Sequence, residues 1–294
     1  MKRADKLILG TVQFGLPYGI NNRSGMPDFD EVSSILTLAQ TSGISLLDTA
    51  EAYGVSHEVI GRYHREQGHR FEVITKFDHR QLLVADNITE RIDADIRALE
   101  VHQLYAYMFH SFSDYLAYGS KFEDQFKALQ QVGKINKIGV SVYTNEELEQ
   151  VINDNKVQLV QLPFNLLDNY SQRGKLIEKA KEKGMEVHTR SVFLQGLFFM
   201  ETATLPKKLE VLIPYLQDLK KISVMSHLSM QALALNYAVQ SRGIDKVLVG
   251  TEKKDQLAEN IAALEKEMSP SLLNEIDAIL VEATELLNPV NWKA

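Results

Sequence analysis

Three short segments each place an ionisable side chain directly after an apolar run. Leu46-Leu47 leads into Asp48-Thr49-Ala50-Glu51-Ala52-Tyr53-Gly54, Glu72 to Thr75 leads into Lys76-Phe77, and Leu104 to Phe109 leads into His110-Ser111. A carboxylate paired with a lysine keeps the ammonium charged and in place. A fixed positive charge in turn lowers the pKa of a nearby tyrosine hydroxyl towards the working range of a general acid. Asp48, Lys76 and Tyr53 therefore read as a unit able to hand a proton to an oxygen on which negative charge develops, with His110 donating the hydrogen bond that orients it. Singly, the residues have plainer readings, the lysine and aspartate as a structural ion pair and Tyr53 as a packed loop aromatic. Their succession on consecutive strand ends favours the chemical reading.

For those side chains to converge, the apolar runs must be neighbouring strands. Such runs recur at Lys6 to Leu9, Leu46-Leu47, Glu72 to Thr75, Leu104 to Phe109, Lys137 to Val140, Leu159 to Leu162, Glu186 to Thr189 and Lys246 to Val249. Helical spacing fills the gaps, as in Val32, Ile35, Leu36 and Ala39, in Ile92, Ile96 and Leu99, or in Leu176, Ile177 and Ala180. Gly43, Gly133 and Gly184 mark helix stops, and Thr144-Asn145-Glu146-Glu147 marks a helix start. Strict alternation of strand and helix predicts a parallel sheet, and eight such units predict a closed (β/α)8 barrel. No Pro/Gly/Ser-rich linker divides the chain, so residues 1–294 are expected to form a single domain with the active site at the carboxyl ends of the strands.

The 294 residues are 45% hydrophobic and 24% charged, the balance of a globular protein. With no cysteine, disulfides, thiolate metal sites and a cysteine nucleophile are excluded. The net charge of −7 is spread along the chain and the basic stretches are short, so nucleic acid is not an expected partner. No apolar run approaches the length of a membrane span and no signal-like segment opens the sequence, which predicts a cytoplasmic protein. Catalytic metal is not expected either, because there is no His-x-His pair after the first strand. His57, His64, His69 and His79 lie in polar segments that read as solvated surface.

Gly10-Thr11-Val12-Gln13-Phe14-Gly15, the Asp48 to Gly54 segment, Thr75-Lys76 and Phe109-His110-Ser111 resemble, in order and spacing, the signature segments of the aldo/keto reductases. The resemblance continues through Gly139-Val140-Ser141, Gln161-Leu162-Pro163-Phe164-Asn165 and the stretch from Gly250 to Glu259-Asn260. It implies hydride transfer from a nicotinamide cofactor to a small-molecule carbonyl, with Tyr53 as general acid, Asp48 and Lys76 tuning it, and His110 orienting the carbonyl. It further implies that Ser141 and Gln161 hold the nicotinamide carboxamide and that Glu259 and Asn260 bind the adenine edge. By the same resemblance Arg190, Ser191, Phe193 and Gln195 line the pyrophosphate, with Thr11 and Thr251 at the strand ends beside them. Arg190 stands where an aromatic residue often stacks on the nicotinamide. Lys253 and Lys254, with Gln256 where an arginine is common, favour NADP(H) over NAD(H).

The sequence departs from the family at Val142, in place of a frequent asparagine, and at His57, in place of a frequent glutamate. The loop from Gly15 to Asn22 also differs, and its polarity suits a hydroxylated substrate such as a sugar. Two alternatives stand beside this reading. Lys76 could serve as a Schiff-base nucleophile in a lyase, which Asp48 opposes by holding the ammonium charged; or the chain could be a nicotinamide-binding regulatory subunit on the same fold. No oligomeric state follows from the sequence.

Overall fold

The computed structural model describes residues 3–17, 25–81 and 87–292. Its eight strands pair in parallel in chain order and close into a barrel. They are β1 (Leu7–Gly10), β2 (Leu46–Asp48), β3 (Glu72–Phe77), β4 (Leu104–Phe109), β5 (Ile135–Ser141), β6 (Leu159–Pro163), β7 (Glu186–Arg190) and β8 (Lys246–Gly250). Each contains most of the run expected from the sequence. The differences lie at the ends: Lys6 belongs to a 3-10 turn before β1, while β3, β5 and β7 run on through Phe77, Ser141 and Arg190. Barrel pairing carries these strands past their apolar stretch, up to the polar residues of the mouth.

The α-helices are α1 (Val12–Gly15), α2 (Phe29–Thr41), α3 (Ser56–Gln67), α4 (Ile88–Ala98), α5 (Phe112–Tyr118), α6 (Glu123–Gln131), α7 (Asn145–Asp154), α8 (Tyr170–Glu182), α9 (Ile213–Ser226), α10 (Met230–Gln240), α11 (Lys254–Ala263) and α12 (Pro270–Asp277). For α2, α4 and α8 the spacing read from the sequence gives the buried face. Val32, Ile35, Leu36 and Ala39 of α2 are buried, as are Ile92 of α4 and Ile177 and Ala180 of α8. Burial of each large aliphatic among them stabilises the fold by about 1.5–3 kcal/mol. Gly43, Gly133 and Gly184 end their helices at φ of 90°, 74° and 74°, the left-handed turn that favours glycine. Thr144 and Glu147 close a reciprocal capping box at the start of α7.

Two apolar shells result. One lies between strands and helices; the other fills the barrel itself, with Ile8, Leu46, Ile74, Ala106, Met108 and Leu159. The barrel is therefore a packed core, with polar side chains such as Gln161 of β6 and His188 of β7 reaching inward towards its two mouths. No helix among the described residues is long and apolar enough to cross a membrane.

Candidate active site

Asp48 closes β2 opposite Ile74 of β3. Lys76 lies two residues beyond Ile74, so the strand's alternation turns both inward. The Lys76 ammonium donates to Asp48 Oδ1 and to the Thr49 carbonyl at 3.0 Å, while Gln161 Nε2 of β6 donates to Asp48 Oδ2 at 2.9 Å. All three side chains are buried. Asp48 raises the lysine pKa as expected, but burial, which the sequence did not show, acts more strongly in the opposite direction. Burial lowers the Lys76 pKa from the ordinary lysine range, and the carboxylate opposes that fall without reversing it.

Tyr53 sits on the loop after β2, and backbone contacts tie that loop down from both sides. Thr49 N donates to Ile74 O at 2.8 Å and Glu51 N to Lys76 O at 3.2 Å. On the other side α1 packs directly on the loop: a Cβ on Gly15 would lie 1.8 Å from Tyr53 O, and one on Gly54, itself at φ 54°, would lie 2.4 Å from Gly15 O. Both positions must therefore be glycine. The Tyr53 ring stands edge-on to His110, with centroids 5.8 Å apart, and the Lys76 ammonium lies 5.5 Å from its centre.

Glu51 was not among the expected site residues. Its buried carboxylate takes hydrogen bonds from Arg91, from Tyr107 Oη at 2.6 Å and from Asp78 N at 3.0 Å, so it bolts the Tyr53 loop to β3, β4 and α4. Burial raises its pKa, and Asp95 adds to the rise. The available signal was an acid enclosed by alanines within the Asp48 to Gly54 segment.

His110 follows β4 and is half-buried beside Tyr53. Burial, helped by the Lys76 charge, lowers its pKa to about 4, so at neutral pH it is an uncharged imidazole with one N–H to donate. Two other histidines correct the sequence reading. His57 is buried against Thr75 Oγ1 at 2.9 Å and Asp95 at 3.3 Å, and His64 is fully buried between Leu99 O at 2.7 Å and Phe71 N at 3.1 Å. Each lies on the inner side of α3, where a polar stretch looks solvated only until its partners are known. His69 is half-buried and His79 is exposed. Among the described residues no group of three or more acids and histidines is placed to hold a metal ion.

The residues expected around a cofactor form an arc from β5 round to β1. Ser141 ends β5 in register with Gln161 of β6, and Arg190 ends β7. Beyond it Ser191, Leu194, Gln195 and Gly196 all take positive φ, so the strand does not run into an α-helix. Phe193 in that loop packs on Phe199, centroids 5.4 Å apart. Lys253, Gln256 and Glu259 are exposed around the start of α11. Thr11 and Asn260 are buried with partners of their own, Thr11 Oγ1 donating to Asp48 O at 3.0 Å and Asn260 Oδ1 accepting from Gln231 at 2.8 Å. Thr251 Oγ1 donates to Lys253 O at 2.8 Å. Gln256 turns back to accept from Glu252 N at 2.9 Å, and Glu31 accepts from Lys254 N at 2.6 Å. The Arg190 guanidinium stacks on Tyr143, 4.0 Å from the ring centre. Of the divergent loop from Gly15 to Asn22, residues 18–22 lie outside the described residues.

A closed parallel barrel with Asp48, Lys76 and His110 at consecutive strand ends and Tyr53 on the loop after β2 is the arrangement that the resemblance to the aldo/keto reductases implies. The family model described as "Aldo/keto reductase family" matches residues 6–281, and the chain belongs to that family. The aldo-keto reductase YhdN of Bacillus subtilis (strain 168) is 32% identical over 152 residues, a match spanning 47% of this chain and 46% of that protein. The NADH-specific methylglyoxal reductase of Escherichia coli (strain K12) is 22% identical over 283 residues, covering 82% of this chain and 86% of its own. Among solved structures, the holo form of an aldo-keto reductase from Bacillus halodurans superposes with a TM-score of 0.73 at 18% identity, covering 95% of this chain and 94% of that one. As a member of the family, the chain is an oxidoreductase acting on carbonyl groups.

Proposed function

We propose that the protein reduces an aldehyde or ketone to the alcohol, with a nicotinamide dinucleotide as reductant and Tyr53 as general acid. The observation that carries this reading is the convergence of Tyr53 and His110 above the buried Lys76–Asp48 pair. A bound nicotinamide supplies the hydride. Negative charge then grows on the carbonyl oxygen. The Tyr53 hydroxyl gives it a proton, the neutral His110 donates a hydrogen bond that orients it, and the nearby Lys76 favours the tyrosinate left behind.

The residues present suit such a cofactor. The buried Ser141 hydroxyl and Gln161 Oε1 make no hydrogen bond to described residues, which leaves a hydroxyl and an acceptor for a primary amide such as the nicotinamide carboxamide. Ser191, Phe193, Gln195, Thr251, Glu259 and Asn260 line the rest of the binding arc in this reading. The exposed Lys253 and Lys254 favour the 2′-phosphate of NADP(H), and the Glu31 carboxylate on the first turn of α11 opposes it. Lys76 does not suit a Schiff-base role, since its amine is buried between Asp48 and Thr49 O.

Fluorescence titration with NADPH and NADH in parallel, followed by a panel of aldehydes and sugars, tests the reading. Saturable binding with turnover abolished in Tyr53→Phe supports it and identifies the preferred cofactor. Binding of neither nucleotide removes the hydride mechanism; tight binding without turnover of any carbonyl favours a regulatory subunit.

A further inference from the structure

Arg190 ends β7 on the strand face that also carries Glu186 and His188, and its side chain reaches the loop after β5. One face of the guanidinium lies on Tyr143, and Nη2 donates to Val142 O at 3.1 Å. Tyr143 is itself anchored, because Arg173 donates to its carbonyl at 2.8 Å and to Asn145 Oδ1 at 2.9 Å. The half-buried cation is thus held in one place at the mouth, and among the described residues no carboxylate lies within ion-pair distance of it. The neighbouring acids are already engaged. Asp168, which feels the Arg190 charge, is in a two-pronged pair with Arg173 at 2.7 and 2.8 Å. Asp48 is held by Lys76 and Gln161, and His110 is neutral at physiological pH. Among the described residues the mouth therefore keeps a fixed positive charge at Arg190 without a counter-ion.

A partly desolvated guanidinium is costly to leave unpaired, and its remaining N–H groups match the spacing of carboxylate or phosphoryl oxygens. We propose that Arg190 anchors an anionic group carried by the substrate, so that the site selects aldehydes or ketones bearing a carboxylate or phosphate over their neutral counterparts. This rests on the reductase reading above.

The test compares kcat/KM for matched pairs, succinic semialdehyde against butanal and glyceraldehyde 3-phosphate against glyceraldehyde, in the wild type, Arg190→Met and Arg190→Lys. Taking the anionic-to-neutral ratio cancels any loss common to both substrates, including weaker cofactor binding. The wild type is expected to favour the anion, and Arg190→Met to lower the ratio roughly ten- to a hundredfold, the worth of one charge-assisted hydrogen bond. Arg190→Lys should restore part of the ratio. Should Arg190→Met fail to fold, the wild-type ratio and its fall with added salt carry the decision. A wild-type ratio near unity, or one unchanged in Arg190→Met, overturns the proposal. An effect confined to the cofactor Kd overturns it as well, by assigning the anion to the cofactor's pyrophosphate. Reduction of neither member of a pair while cofactor binds overturns the reductase reading itself, and this one with it.

Discussion

At the amino-terminal end of the barrel, Glu186 of β7 accepts hydrogen bonds from Tyr105 of β4 at 2.7 and 2.8 Å, from Lys137 of β5, and shares one with His188 at 2.6 Å. Lys246 of β8 donates to Asp5 O at 2.6 Å. Burial works against the Glu186 charge, but His188 and Lys137 hold its pKa well below the usual carboxylate range, while burial pushes the Tyr105 hydroxyl up to about 12. At the opposite end the same residue types are deployed differently. Asp48 and Lys76 are locked together, yet Tyr53 and His110 stand beside them, and among the described residues the Arg190 charge has no acid of its own. Both ends bury ionisable groups. One ties its groups mainly to one another as a plug, with His188 Nδ1 buried and without a hydrogen-bond partner among the described residues, and the other gathers its groups around Tyr53 and His110, so burial and shifted pKa values alone do not mark a site.

The contrast can be broken at either end. Tyr53→Phe should produce the largest effect, a loss of roughly 10²–10⁴ in turnover with the cofactor Kd retained, as expected for removal of a general acid. Steady-state kinetics beside a fluorescence titration measures both; near-normal turnover would falsify the assignment of Tyr53. At the plug, Glu186→Ala leaves Lys137 and His188 without their shared acceptor and should destabilise the fold by about 3–5 kcal/mol, read by denaturant unfolding. The kcat of the folded fraction should be unaffected; a collapse in kcat at unchanged stability would mean that the two ends are not separate.

A third prediction concerns pH. His110 binds its proton less tightly in the folded chain, with a pKa of about 4, than in the unfolded chain at 6.5. Between those values the unfolded state holds more protons, so the contribution of His110 is complete above 6.5 and is lost as pH falls towards 4. His110→Gln should therefore flatten the stability-versus-pH slope in that window; an unchanged slope contradicts a neutral buried imidazole. The smallest expected effect sharpens the role of Glu51. Glu51→Gln keeps its shape but weakens its bonds to Arg91 and Tyr107, and should cost about 1–3 kcal/mol of stability. It should also lower kcat with the cofactor Kd unchanged, since it holds the Tyr53 loop. Equal loss in KM and Kd would instead indicate a general disturbance of the mouth.

Much of this arrangement was legible in the residues. Apolar runs of strand length separated by helical spacing specify alternating elements, because burying one face of each is what drives them together. The strand-end rule then brings Asp48, Lys76 and His110 to one mouth. Glu51, His57 and His64 were not legible, because a polar side chain on a loop or helix reads as solvated until its partner is known. Those partners, Arg91, Asp95 and the Leu99 carbonyl, are distant in sequence.

The sequence by itself determined the order of the elements, the faces that α2, α4 and α8 bury and the identity of the groups at each strand end. These depend on local periodicity and side-chain type. Only the tertiary structure decided the balance of charge: that burial outweighs Asp48 in setting the sign of the Lys76 shift, that His110 is neutral, and that Asp168 is committed to Arg173 while Arg190 has no acid among the described residues. Electrostatic energies depend on distance and desolvation, and both are set by strands far apart in the chain meeting at one end of a closed barrel.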